Sequence, residues 1–304
     1  MALLTHQAEL QDPSQSNDVS NLLPAGPEDQ HVTIILPPNG WQLINARELW
    51  QFRELLFFLV WRDVKVRYKQ TVLGAAWAVL QPVMMMVVFT IFFGRMAKVS
   101  SGNWPYSLFA YSGLLPWTFF ATAISNAGNS VVGSERLITK IYFPRLAVPF
   151  AAVGAAVVDF AIAFGLLLAM MAYFQIMPGV GFLLIPVIVA LITLAALGIG
   201  TLLSALNVAY RDFRYVIPFL VQLGMFATPT VYMQPDPNTA TSSGLGALLA
   251  LNPMTPLIAS FRAAALGGPI SWGPLAMAST VVIAIFIFGC LYFRKIEDNF
   301  ADII

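Results

Sequence analysis

From Gln70 to Gly94 the chain carries no charged residue, a run longer than the roughly 20 residues a helix needs to cross a hydrocarbon layer. A second uncharged run extends from Val99 to Ser134, with its helix expected near Ser107–Val131. A third, about Leu146–Tyr173, contains a single acid, Asp159. Met177-Pro178-Gly179-Val180-Gly181 predicts a tight turn, followed by a fourth span at about Phe182–Val208. A fifth, about Tyr215–Met233, lies between Arg214 and the proline-rich Gln234-Pro235-Asp236-Pro237, and a sixth, about Pro274–Phe293, ends at Arg294-Lys295. Hydrophobic residues make up 58% of 304 positions and charged residues 10%, against about 25% charged in an average soluble domain. The expected fold is therefore an all-α integral membrane protein with six transmembrane helices.

Between the fifth and sixth spans lie two apolar pieces, Leu245–Leu251 and Pro256–Leu266, separated by Asn252-Pro253. Each is too short to cross about 30 Å of hydrocarbon, so two short re-entrant helices are expected there. Upstream of the first span, Asn45 followed by Glu48 has capping-box spacing, and Leu49, Phe52, Leu56, Leu59 and Val60 recur at helical intervals. Gln51, Arg53 and Glu54 interrupt them, which predicts an amphipathic helix in the membrane interface and not a span. Residues 1–40 are rich in Pro, Ser, Asn, Gln and acids; they predict a flexible cytoplasmic tail ahead of a transmembrane domain over 41–304. They lack a basic stretch followed by an apolar core, so no secretory signal is expected.

Lysine and arginine set the expected orientation. With the N-terminus in the cytoplasm, that side collects Arg47, Arg53, Arg62, Lys65, Arg67, Lys69, Arg136, Lys140, Arg145, Arg211, Arg214, Arg294 and Lys295. The outside receives only Arg95, Lys98 and Arg262. Thirteen against three places both termini inside.

Much chemistry is missing from the sequence. Cys290 is the only cysteine, and both histidines, His6 and His31, fall in the polar N-terminal stretch, so neither a disulfide nor a metal centre is expected. There is no G-x-x-x-x-G-K-[ST] phosphate loop and no G-x-S-x-G elbow, and no histidine within a span to act as a base. No catalytic activity and no cofactor are expected on this chain. Asp159 is the only acid within a span, whereas ion-coupled transporters place several ionisable groups at mid-membrane. If the chain moves a substrate, the energy is expected from a separate subunit. Asp159 itself has two readings. It is a polar contact or latch in a translocation path, or a buried acid bonded to a neighbouring helix, which its flanks Ala151, Ala152, Gly154, Ala155 and Ala156 would let come close.

Three stretches together resemble a known family. They are Trp61-Arg62-Asp63-Val64-Lys65-Val66-Arg67-Tyr68-Lys69-Gln70-Thr71-Val72-Leu73-Gly74 with Trp77 and Gln81-Pro82; Leu137-Ile138-Thr139-Lys140-Ile141-Tyr142-Phe143-Pro144-Arg145; and Ala205-Leu206-Asn207-Val208-Ala209-Tyr210-Arg211-Asp212. Over about residues 41–304 the chain resembles the ABC-2 type permeases that export lipid-linked polysaccharides such as O-antigen, capsule and teichoic acid. The resemblance implies a homodimer in the bacterial inner membrane, joined to two copies of a separate ABC ATPase that holds the ATP and Mg. It also implies a channel between the subunits lined by first and fifth spans. Nucleic acid is not among the expected partners; lipid-linked polysaccharide and membrane lipids are.

Under that resemblance the segment around Glu135, Arg136, Leu137, Lys140, Tyr142 and Arg145 would plug into the ATPase and transmit its closure. Arg62, Lys65, Arg67, Tyr68 and Lys69 would meet the substrate at the cytoplasmic entry, binding lipid head groups, the ATPase or a pyrophosphate. In the first span Trp77, Gln81, Met85, Phe89 and Phe92 advance by four, four, four and three residues. At about 100° per residue they share one face, while Val79, Val83 and Val87 point largely elsewhere. Gln222, Met225, Phe226 and Pro229 form a comparable face in the fifth. Rings pack on sugar C–H faces and amides exchange hydrogen bonds with hydroxyls, so these faces are expected to line the path; their alternative use is helix packing within one subunit. An exporter of a drug or small lipid, an ion-coupled secondary transporter and a non-transporting scaffold are the competing functions.

Overall fold

The computed structural model describes residues 46–69, 74, 76–97, 101–102, 104–140, 143–231 and 252–297. The expected tail over 1–40, the capping box at Asn45 and Glu48, the half-helix Leu245–Leu251 and Tyr142 lie outside the described residues or side chains. Among the described residues ten α-helices follow in order: α1 (Ala46–Gln51), α2 (Arg53–Tyr68), α3 (Ala76–Phe89), α4 (Tyr106–Gly133), α5 (Glu135–Ile138), α6 (Ala147–Tyr173), α7 (Ile185–Ala209), α8 (Phe213–Ala227), α9 (Met254–Leu266) and α10 (Trp272–Glu297). A π-helical segment, Thr90–Met96, prolongs α3, and a 3₁₀ turn, Val180–Leu184, leads into α7. Among the described residues there is no strand.

Five of these helices are long and apolar enough to cross a membrane: Ala76–Met96, Tyr106–Gly133, Ala147–Tyr173, Val180–Ala209 and Trp272–Glu297. Helix α8 is shorter than its sequence predicts. It has 15 residues, about 22 Å, and stops at Ala227 instead of running to Met233. Pro229 explains the difference. Proline disfavours helical geometry in the residue before it, and Thr228 is extended at φ −115°, ψ 129°. The chain continues as a buried, non-helical segment, Thr228–Val231.

Helix α4 occupies the centre of the bundle, with Leu108, Tyr111, Leu115, Phe119 and Ala123 buried. Helices α6 and α7 flank it, α3, α8 and α9 also pack against it, and α10 closes on α7. Lipid tails are as apolar as leucine, so helices associate through close packing and a few internal hydrogen bonds. Along the α7–α10 seam the backbones nearly touch: a Cβ on Gly198 would lie 2.6 Å from Phe286 Cα. Polar ties cross the other seams. Asn207 Nδ2 donates to Gly128 O at 2.9 Å, linking α7 to α4, and Tyr111 Oη donates to Ala163 O at 2.8 Å, linking α4 to α6.

A second apolar cluster joins Val131, Phe143, Leu146, Ala205, Val208 and Phe293 at one end of the bundle, together with Leu59 of α2 and Ile138 of α5. Arg136, Lys140, Arg211, Arg214, Arg294 and Lys295 gather at this basic end. Helix α2 climbs from there alongside α6, where a Cβ on Gly154 would come within 2.8 Å of Val60. Trp50, Phe57, Phe58, Trp61 and Val66 remain exposed.

The seam yields a direct test. Gly198→Ala should lower the melting temperature of the detergent-solubilised protein by about 3–10 °C, the usual penalty for overpacking. Gly165→Ala, where a Cβ meets nothing within 4 Å, should leave melting unchanged. Equal melting of the two variants would contradict the packing described.

Candidate functional site

Residue Gly74 turns the chain between α2 and α3 at φ 50°, in the left-handed region where a side chain is strained. The Trp77 N–H donates to Gly74 O at 3.3 Å, which starts α3 directly beside the end of α2. This turn opens a cleft of about 300 Å³ between α2, α3, α4 and α6. Its lining includes Arg67 and Tyr68 from α2, Trp77 and Gln81 from α3, and Asp159 and Phe160 from α6. Three groups that the sequence separates into entry, path and intramembrane acid thus meet in one place.

From α4 come Thr118, Phe119, Thr122 and Asn126, which the sequence reading passed over. Their signal was available: Thr118, Thr122 and Asn126 follow one another at intervals of four, which puts two hydroxyls and an amide on one helix face. Aromatic rings and uncharged polar groups therefore share the cleft with Arg67 and Asp159. Trp77 is 51% exposed. Such a lining can stack and exchange hydrogen bonds. Among the described residues no group of three or more His, Cys, Asp or Glu is placed to hold a metal.

Asp159 sits twelve residues into α6, about 18 Å along the helix from Ala147. One carboxylate oxygen accepts from Arg67 Nη1 and the other from Tyr68 Oη. The side chains of Arg67 and Asp159 are 30% and 17% exposed, so the pair is only partly shielded from solvent. Burial raises the Tyr68 hydroxyl above its ordinary value while Arg67 pulls it down; the phenol stays protonated near neutral pH and donates. Asp159 is thus bonded to a neighbouring helix, α2, and at the same time lines the cleft. The small residues beside Asp159 make room for that helix at Gly154.

The other expected site residues lie elsewhere. Arg62 pairs with its neighbour Asp63 at 2.8 Å, and Lys65 and Lys69 are exposed. On α3 and its π-helical extension, Phe92 is exposed like Trp77 and Gln81, whereas Met85 and Phe89 are half-buried, and the Phe89 ring lies tilted against Phe93 with centroids 5.6 Å apart. On α8, Gln222 and Phe226 are exposed and Met225 is half-buried, while Pro229 lies beyond the helix end in the buried segment Thr228–Val231. At the basic end, Glu135, Arg136 and Lys140 are exposed around the single turn of α5, with Leu137 half-buried and Ile138 buried as its anchor. Arg145 differs from them: its backbone N–H donates to Glu297 Oε1 at 3.1 Å and its guanidinium donates to Glu297 O, which ties the start of α6 to the end of α10.

A double-mutant cycle measures the Asp159 tie. Arg67→Gln and Asp159→Asn should each destabilise the protein, and Arg67→Gln/Asp159→Asn should cost less than their sum, with a coupling of about 1–3 kcal/mol. Additive losses in chemical denaturation would show that the two side chains act independently.

Residues 54–266 match the ABC-2 type transporter family. The chain is 34% identical over 219 residues to a protein of Myxococcus xanthus named O-antigen export system permease protein RfbA, covering 72% of this chain and 82% of that one. Two proteins of the same name from Klebsiella pneumoniae are 25% and 24% identical over 252 residues, covering 83% of this chain and 95% of each of them. The matched region runs from the start of α2 to the end of α9 and so contains the cleft, the Asp159 tie and α5. This multi-pass, helical membrane protein belongs to the ABC-2 type transporter family.

Proposed function

We propose that this chain is the membrane-spanning permease subunit of an ATP-driven exporter that moves lipid-linked, O-antigen-like polysaccharide across the bacterial inner membrane. The observation that carries this reading is membership of the ABC-2 family together with relatives named for O-antigen export. The cleft supports it: rings, amides and hydroxyls recognise sugars without holding them tightly. Two copies of the chain would assemble with two copies of a separate ABC ATPase, and ATP and Mg would reside on that partner.

The topology in this proposal has six spans, with α8 as the fifth. Its helix of about 22 Å, prolonged by the buried non-helical segment Thr228–Val231, approaches the about 30 Å of hydrocarbon. The basic end faces the cytoplasm, as the lysine and arginine distribution requires. Helix α9 is then the second of two re-entrant helices on the outside. The exposed aromatics of α1 and α2 sit at the membrane interface, the usual place for Trp and for mixed apolar and basic surfaces.

In the mechanism, α5 offers Glu135, Arg136 and Lys140 to the ATPase on a turn anchored by Ile138. A push on that turn reaches the apolar cluster it shares with α2, and α2 is bonded to α6 at Asp159. The substrate's head group would enter past Arg62, Lys65 and Lys69 beside Arg67 and Tyr68. Its glycan would then pass the exposed faces of α3 and α8.

Two outcomes follow. The purified chain alone should hydrolyse no ATP, and turnover should appear only with its ATPase. In cells, Trp77→Ala should reduce surface display of long glycan chains about two- to tenfold, the worth of one aromatic contact, at unchanged protein level. Glycan display that survives complete loss of the chain would overturn the proposal.

A further inference from the structure

Arg262 of α9 is only 9% exposed, and among the described residues no carboxylate lies within ion-pair distance of it. Its guanidinium carbon rests 3.9 Å from the centre of the Phe109 ring on α4. Its Nη2 donates to Thr230 O at 2.5 Å, while its Nε has no partner among the described residues. A buried, incompletely satisfied cation is an expensive way to fill space; an apolar side chain of similar volume packs as well without desolvating a charge. The contact it makes gives the reason for its presence.

That contact falls on the segment where α8 ceases to be helical. Once Pro229 breaks the helix, the backbone groups of Thr228–Val231 lose their helical partners while remaining buried. Other elements answer them. Arg262 donates to the backbone carbonyl of Thr230 and Tyr106 Oη to that of Val231 at 2.8 Å, while Asn252 Nδ2 donates to the side-chain hydroxyl of Thr228 at 2.8 Å. Helix α4 is shaped for the first of these: a Cβ on Gly113 would collide with both Thr230 O and Arg262 Nη2. Glycine at 113 admits the carbonyl and the guanidinium together.

We propose that Arg262 is a positioning residue for transport: by pinning the Thr230 carbonyl against α4 and α9 it fixes the outer end of α8, and with it the mouth of the translocation path. This rests on the proposal that α8 lines the path. Gln222 and Phe226 face away from the core two turns or fewer before the pinned segment, so a shift of Thr228–Val231 carries them with it. Of the three donors only Arg262 is charged, and a hydrogen bond from a cation is the strongest of them.

The test uses the chain with its ATPase in liposomes, in a Cys290→Ser background. Two substitutions are compared: Arg262→Met, which keeps the volume without the donor, and Arg262→Lys, which keeps a cation. Backbone hydrogen exchange over residues 224–231 reads the pin regardless of any path. Labelling of Gln222→Cys by a thiol reagent from outside, without ATP, reads the mouth. Arg262→Met should melt within about 5 °C of the parent, yet exchange about tenfold faster over 224–231 and label faster at position 222. Arg262→Lys should recover part of both. Unchanged exchange in Arg262→Met, or a variant that fails to fold, overturns the pin. Faster exchange with unchanged labelling, in a complex that still exports, leaves a structural bond only and removes α8 from the mouth.

Discussion

Hydrocarbon supplies no hydrogen-bond partner, so a polar group this chain carries into it is costly unless another part of the same chain answers it. Most of the backbone complies by being helical. The exceptions identify where the molecule has something more to do. Asp159 enters α6 and is met by Arg67 and Tyr68. The end of α8 unwinds and is met by Arg262, Tyr106 and Asn252. Elsewhere the spans approach through small residues, with Gly198 and Gly289 letting α7 and α10 touch backbone to backbone.

The Asp159 tie has a mechanical consequence. Helix α2 is anchored at the basic end by Leu59, which packs with α5, α6, α7 and α10 residues, and at its other end by Arg67. Between those anchors Trp61 and Val66 are exposed, while Val60 and Val64 are half-buried and Val60 packs on Gly154 of α6. A movement delivered to α5 therefore has a continuous physical route to the cleft at Trp77 and Gln81, through contacts with identified residues.

Much of the fold was legible from where charge is absent. Uncharged runs, bounded by Lys, Arg, Gly and Pro, marked the five long helices and α8, because the hydrocarbon penalty on charge acts residue by residue and leaves a local trace. What acts through space left none. The pairing of Arg67 with Asp159 joins positions 92 residues apart, and no local pattern encodes it, although a single intramembrane acid does imply a cation somewhere. The face of Thr118, Thr122 and Asn126 was visible at helical spacing but was hidden by the apolar residues around it. The early end of α8 was written in Pro229, which a hydropathy count treats as one more tolerated residue. Arg262 registered only as an external charge, since burial cannot be read from composition.

The central claim is that this chain provides a transmembrane route for a lipid-linked glycan powered by a separate ATPase. It is tested most directly by reconstituting the chain and its ATPase in sealed liposomes whose outer leaflet holds the lipid-linked polysaccharide, with the ATPase facing outward. Glycan protected from an added glycosidase is then measured against time. The account predicts protection that grows only with ATP and Mg, and that is lost when the ATPase is omitted. ATP hydrolysis by the intact complex with no gain in protected glycan would contradict it.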